Sequence, residues 1–558
     1  MTAGWRWYFH IKKKHLSYGL FCLFLIISST LLFIPVSTEP LADFRPRTMV
    51  LYEGDGLKIL VEALEPSGYS TEPKIKVNII ISGKMYSAEY NLLSGELIRG
   101  NAPWQIFPFF TKRYLSEGDI VFYDDGAWKV VGYGKIFFRK YDIKTVILVK
   151  NGFKRIYDWV AGLLLEGDIC INGTYHYIKI KDTNLEWIYL KYKGIYIDWF
   201  NITVILKNYN ESGVFKVYSI GRSVLGRNIW AAEYGPPNAT QVILVTANIH
   251  GPELIGSRVI LHVLKKLVNN TVIFKGLRDK GEKLVFIFPL NPDGLEACKL
   301  APPEMAQRPY VRKNARFVDL NRNFNARWGE SGASTNILSN NYMGPNPASE
   351  PETRGLQDFI NRNNVTIHID LHSGDIAVII PPKLGVEKDK SVEELGLKVA
   401  RIMGFSVSQG TSTGLAYFYT YYVKPKALSM IVELWLKDTP TWFERYNPTS
   451  EKKVSELGER FYKVIYFLVT GKDSSGQNYL LDNLYLIIFL LEAVAIGIIF
   501  LLYYRKRRQK ALYFSGGVNV RDLEECQVIN LLAVLLLTKF LGLLGLHATR
   551  LFYLNPFP

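Results

Sequence analysis

From residue 215 to residue 470 the chain alternates two kinds of apolar pattern. Runs such as "QVILVTANI", "KLVFIFPL" and "ALSMIVEL" are mostly apolar, and with "NVTIHIDL" they predict strands covered on both faces. Between them, "PELIGSRVILHVLKKLV" and "SVEELGLKVARIM" repeat apolar residues every three or four positions, the spacing of a helix with one buried face. Strand, helix, strand without polar alternation predicts an α/β domain around a mainly parallel sheet. From 43 to 210 the pattern differs. Short alternating pieces, "KIKVNIIISG", "DIVFYD", "WKVVGYGKIFF" and "IDWFNITVILK", are separated by Gly, Asp and Asn turns. They predict an all-β module, a sandwich or a barrel. Its many Tyr and Trp residues read as packing, and no constellation in it suggests chemistry.

Three longer apolar runs lie outside these regions: 18–36, 484–504 and 528–546. The first two approach the roughly 20 residues that a spanning helix needs. The first has the basic start of a signal peptide but is long for one and lacks a small-x-small cleavage site, so an uncleaved anchor behind a cytoplasmic tail, 1–17, is the favoured reading. The second is followed directly by "RKRRQK", which puts its C-terminal end and the segment 505–527 in the cytoplasm. Glu492 within it reads as a contact inside a bundle. The third run is broken by Lys539 and either spans or lies in the interface. Both anchors leave the region between them outside the cell, on the cell membrane's outer face. Sequons at Asn172, Asn201, Asn210, Asn238, Asn269 and Asn364 all fall in that region.

The formal charge of +16, with 48% hydrophobic residues, first invites a nucleic-acid partner. The clusters Lys12 to Lys14 and Arg505 to Arg508 sit beside the apolar runs, so they read as membrane-orienting charges, the lipid bilayer is the expected partner, and nucleic acid is not. Cys170 and Cys298 allow one exported bridge, although two isolated cysteines are more often free thiols.

In open α/β sheets, ligands bind beyond the carboxyl ends of the strands. There the chain sets His250, with Glu253 in the first turn expected of the next helix, then His372 and Glu433, each at the end of a different predicted strand. Any one of them has an ordinary explanation as a core histidine or ion-pair partner. Two histidines and two acids on one sheet edge are costly to bury unless they bind a metal. Two histidines and one glutamate leave a zinc ion an open position for water, and Glu433 is then available as general base. The segment "YVRKNARFVDLNRNF" adds Arg312, Arg316, Asn321 and Arg322. Planar guanidiniums near a metal suit a substrate with a free carboxylate, such as a peptide C-terminus, although a solvated basic loop has the same composition.

The ordered set "GRSVLGRNIW", "NIHGPE", "PLNPDG", "RKNAR", "VDLNRNF", "ASEPET", "IDLHSG" and "IVELW" resembles the zinc carboxypeptidase family that includes carboxypeptidases A and B, over roughly 215–470. The resemblance implies a three-layer α/β/α sandwich with a mixed sheet. It implies one zinc ion held by His250, Glu253 and His372, with Glu433 activating water. Arg312 would polarise the scissile carbonyl, Asn321 and Arg322 would hold the terminal carboxylate, and Asp319 would orient the first histidine. "ASEPET" also reads as a helix start with Ser349 as N-cap and Glu352 closing a capping box. Two departures stand out. Gly374 occupies a position where the pancreatic enzymes have tyrosine, and none of Tyr417, Tyr419, Tyr421 or Tyr422 has the spacing of the substrate-capping tyrosine. Leu415 and Ala416 fall near the base of the specificity pocket without an acid, which hints at apolar terminal residues.

The expectation is therefore a membrane-anchored zinc metallocarboxypeptidase acting on peptide or protein C-termini. Its rivals are a zinc amidohydrolase acting on another carboxylate-bearing amide, such as an N-acyl amino acid or isopeptide, and a surface adhesion or scaffold protein with a relic zinc fold.

Overall fold

The computed structural model describes residues 45–303 and 310–472. Among them no helix is long and apolar enough to cross a membrane. The apolar runs 18–36, 484–504 and 528–546, with the segments 1–17 and 505–527, lie outside the described residues.

Alternating burial builds the first region. In the strand Ile120–Tyr123 every second residue is buried, and the same holds for Leu57–Ala63 and the first half of Tyr141–Lys150. They belong to one continuous antiparallel sheet of eleven strands whose end strands are Leu97–Gly100 and Ile120–Tyr123. Those ends do not pair, so the region is an open sheet rather than a closed barrel or two separate sheets. Both halves of it bury their inward residues in one core that includes Tyr52, Trp104, Trp128 and Tyr157.

"IDWFNITVILK" is a helix and not the strand its β-branched residues suggested. Asp198 caps α1 (Trp199–Glu211) by accepting from the Asn201 amide at 2.8 Å, and Ile202, Thr203 and Leu206 supply the buried stripe.

The second region is an eight-stranded mixed sheet: β1 (Lys216–Arg222), β2 (Asn228–Tyr234), β3 (Gln241–Ala247), β4 (Glu282–Ile287), β5 (Asn364–His372), β6 (Ile376–Ile380), β7 (Ser406–Gln409) and β8 (Leu428–Leu434). Their spatial order is β1-β2-β4-β3-β5-β8-β6-β7. The central strands β4, β3, β5 and β8 run parallel, so their carboxyl ends share one edge. One face is covered by α2 (Ile255–Leu267), α3 (Thr271–Lys280), α5 (Lys388–Met403) and α8 (Glu451–Thr470). The other is covered by α4 (Pro351–Arg362) and α6 (Ala416–Val423). The short α7 (Trp442–Tyr446) follows β8.

The capping box at α4 does not form. Glu350 is the N-cap and Pro351 the first helical residue, while Glu352 turns inward to accept from the Val224 amide at 3.0 Å and the Asn314 side chain at 3.2 Å. Cys170 and Cys298 are free thiols, Cys298 donating to the Gly294 carbonyl.

The two regions share a buried seam. Glu296 lies between Arg113 of the β module and Lys299, and Lys299 also reaches Asp198 at 3.2 Å. Arg45 donates to the carbonyls of Asn314 and Asp293, and Arg316 to that of Thr71. Tyr310, Ala315 and Phe317 complete the β module's own core. The segment 310–319 is therefore held from the β side.

Candidate metal centre and substrate cavity

β3 stops at Ala247, and the chain turns through Asn248 before reaching His250. Gly251 is needed for close approach: a Cβ there would stand 2.0 Å from the Val311 carbonyl oxygen. α2 begins only at Ile255, so Glu253 belongs to the turn before the helix rather than its first turn. β5 ends on His372, which lies beside Glu433 of the parallel neighbour β8.

The three elements bring His250, Glu253 and His372 together, all buried, with one ligand atom of each within 4.8 Å of the others. Nδ1 of His250 lies 2.8 Å from Glu253 Oε1, and Nδ1 of His372 lies 3.0 Å from Oε2. Each ring is held from behind: Nε2 of His250 by Asp319 at 3.1 Å and Nε2 of His372 by Asp370 at 3.0 Å. With the Nε2 protons given to these carboxylates, both Nδ1 lone pairs face the glutamate. Burial pushes Glu253 up, but the two imidazoles hold it well below the carboxylate range. Burial pushes His372 down, but Asp370 and Glu253 raise it well above the ordinary imidazole value. Two buried Nδ1 atoms converging on one carboxylate are a donor set that suits a divalent cation, and two imidazoles with one carboxylate suit zinc.

Around this trio lies a cavity of about 460 Å³. Glu433 forms part of its wall, and the buried Oε2 has no hydrogen-bond partner. Burial raises this carboxyl to about 7, with His372 lowering it and Glu253 raising it further. Arg312 donates to Asp319 at 3.1 Å and approaches Glu253 at 3.5 Å, while its Nε is buried without a partner. Arg322 donates through Nε to Gly332 and through Nη1 to the Asn321 carbonyl, and it lines the cavity. Asn321 also lines it, its Oδ1 accepting from the Ala416 amide at the start of α6. Arg316 points to the β module and not into the cavity. Orphaned polar atoms on both Glu433 and Arg312 are what a site built for an absent ligand leaves behind.

Of the four tyrosines considered, only Tyr417 lines the cavity, with Leu415, Ile379 and Ile431 beside it. Tyr419 bonds Asn361, Tyr421 bonds Asp389, and Tyr422 is exposed. Ala416 is buried and does not line the cavity. Sequence reasoning missed Asp370, although it is two residues before His372 and thus on the same face of β5. It also missed Arg445 and Tyr446, both in the cavity wall. The backbone explains the missing tyrosine at 374: Gly374 has φ +133°, which side chains rarely adopt, and the Tyr446 ring lies beside it.

Fold and site define a class: an α/β domain with a mixed sheet and a buried metal site of two histidines and one glutamate at the carboxyl edge of its parallel strands. Residues 203–435 match the zinc carboxypeptidase family model. The family's cofactor is one zinc ion, and the described residues offer the trio to hold it. Over 207 residues the chain is 30% identical to the carboxypeptidase N catalytic chain of Homo sapiens, covering 32% of this chain and 42% of that one. Over 209 residues it is 29% identical to carboxypeptidase B of Rattus norvegicus, covering 36% and 49%. The matches thus span less than half the length of these relatives. Among solved structures, carboxypeptidase A from Helicoverpa armigera is similar over 50% of this chain and 75% of that one, with 20% identity and a TM-score of 0.42.

Proposed function

We propose that the protein is a membrane-tethered zinc carboxypeptidase that removes C-terminal residues from peptides outside the cell. The carrying observation is the buried set of His250, Glu253 and His372 with the unpartnered Glu433 carboxyl beside it. The tether rests on the apolar runs 18–36 and 484–504 and the basic "RKRR" after the second.

His250, Glu253 and His372 would hold zinc, which supplies Lewis acidity toward the scissile carbonyl and lowers the pKa of water. Arg322 and Asn321 bind the terminal carboxylate, Arg322 as a charged fork and Asn321 as an amide fixed by its bond to Ala416. Arg312, steadied by Asp319, stands ready to donate to the oxyanion as the carbonyl becomes tetrahedral. Glu433 takes a proton from the attacking water and returns it to the departing amine; a carboxyl near neutrality suits both transfers. Leu415, Ile379, Ile431 and Tyr417 give the cavity an apolar wall, which favours apolar terminal side chains.

Among the described residues, the β module contributes none to the cavity wall. Its packing against Tyr310 and Phe317 supports a buttressing role for the loop that carries Arg312 and Asp319.

Digestion of a defined peptide mixture, read by mass spectrometry, tests the proposal. Zinc-loaded protein should shorten peptides one C-terminal residue at a time, and Glu433→Gln protein should bind zinc without trimming. Products cut at internal bonds, or equal trimming by the variant, would refute it.

A further inference from the structure

The cavity holds three guanidiniums, Arg312, Arg322 and Arg445, against two carboxylates, Glu253 and Glu433. Glu253 is engaged by the imidazoles, and Arg312 is committed to Asp319 and Glu253. Arg322 answers to the terminal carboxylate under the function proposed above, on which this inference rests. That leaves Arg445. Its carboxylate partner is Asp438 at 3.8 Å, a fully exposed side chain, and such a pair contributes little and leaves the guanidinium available.

Arg445 is nonetheless firmly placed. On the same short helix Trp442 and Phe443 are wholly buried, and the Trp442 indole donates to Pro302 at 3.0 Å. Immediately after the helix, Asn447 donates to the Pro252 carbonyl at 2.7 Å and accepts from the Ile255 amide at 2.9 Å. Both contacts flank Glu253, so the helix is pinned to the turn that supplies a metal ligand. Between Arg445 and Asn447, Tyr446 lays its ring over Gly374, next to Glu433. Arg322 bonds the carbonyl of Asn321, whose side chain is fixed at Ala416, whereas Arg445 adjoins Tyr446, whose ring lies beside Gly374 and Glu433. All of these except Ala416 line the same cavity, which therefore has a terminal-carboxylate end at Arg322 and a second cation at Arg445.

The terminal end has the apolar wall of Leu415, Ile379 and Ile431, which gives a second carboxylate no welcome there. We propose that Arg445 and the Tyr446 hydroxyl form a second anion subsite, which selects peptides bearing an Asp or Glu side chain on the acyl side of the scissile bond. The acidic side chain would accept from the guanidinium and the phenol together, a charge-assisted pair at the cavity mouth.

The test uses full-length zinc-loaded protein in detergent and three N-acylated peptides with the same apolar terminal residue, differing only in Glu, Gln or Lys just before it. Wild-type kcat/KM should favour Glu over Gln by about tenfold, the size of one well-placed ionic contact, and mostly through KM. Arg445→Gln should bring the Glu/Gln ratio close to one, Arg445→Lys should restore part of it, and Arg445→Glu should invert the Glu/Lys order. Equal wild-type rates on the Glu and Gln peptides, or a preference that survives Arg445→Gln, would overturn the subsite. Equilibrium binding of the same labelled peptides to Glu433→Gln protein gives a reading without turnover. If no peptide is cleaved at all, the carboxypeptidase reading fails. Tighter binding of the Glu peptide would still support the subsite, and equal binding would reject it.

Discussion

Asp370 and His372 leave the same face of β5, and Asp370 Oδ2 meets His372 Nε2 at 3.0 Å, leaving Nδ1 turned toward Glu253. Asp370 is itself fixed by the Thr246 hydroxyl at 2.6 Å. This carboxylate holds the ring orientation of a candidate metal ligand, as Asp319 does for His250. Asp370→Asn should weaken zinc binding by roughly 10–100-fold, the usual cost of losing such a partner. Chelator competition measures it. An affinity within twofold of wild type would mean that the backbone alone orients His372.

Glu296 is the charge on which the seam between the two regions depends. Burial raises it, but Lys299, Arg113 and Arg227 bring it down to about 2, so it is ionised at every working pH. Glu296→Ala removes the buried carboxylate shared by Arg113 and Lys299, of which Lys299 keeps Asp198, and should cost about 3–5 kcal/mol. Glu451→Ala removes the partly exposed pair with Arg258 and should change stability by less than about 0.5 kcal/mol. Urea denaturation of both variants checks the contrast; similar midpoints would show that the seam does not need its acid.

Gly374 has a left-handed φ of +133°, and an added Cβ would stand in ordinary contact with the Tyr446 ring at 3.4 Å and with Glu433 Oε2 at 4.0 Å. Gly374→Ala therefore carries backbone strain of about 1–3 kcal/mol without a steric clash. Relief of that strain shifts the backbone beside Tyr446 and the proposed base, so turnover should fall more than overall stability accounts for. Thermal unfolding and single-turnover rates, measured together, separate the two effects. Wild-type behaviour in both would mean that the backbone relaxes at no cost.

The strand ends were legible because mostly apolar runs stop abruptly near His250 and Glu433 and an alternating run stops at His372, and polar residues at such edges have few innocent explanations. Asp370 was legible in principle from strand alternation, since residues two apart share a face. The helix Trp199–Glu211 was hidden by the β-branched "NITVI", whose local preference lost to the Asp198 cap and the buried stripe behind it. Ser349 lost its capping role because Glu352 three residues on is drawn inward by Val224 and Asn314, contacts from distant segments. The short α7 carries no periodic signal, and the Asn447 bonds that aim Arg445 and Tyr446 join residues nearly two hundred positions apart. Such tertiary contacts leave no trace in local pattern.

Glu352 makes stability depend on pH in an unusual direction. It is wholly buried, and burial first, then the charges of Asp293 and Glu350, raise its carboxyl to about 8 from an ordinary 4.5. A raised acid stays protonated in the folded chain while the unfolded chain has already released its proton. Between about 4.5 and 8 the folded state therefore binds more protons, and stability falls as pH rises across that window. Below it the difference vanishes, and above it the whole cost is incurred, up to a few kcal/mol for a shift of this size. Acid denaturation commonly works through paired carboxylates; this site opposes that trend. Glu352→Gln keeps the shape and an oxygen for the Val224 amide but cannot ionise. Denaturant midpoints at pH 5, 7 and 9 should decline for the wild type and decline distinctly less for the variant. Parallel declines in the two proteins would assign the pH dependence to other groups and leave Glu352 a permanently charged or permanently neutral side chain.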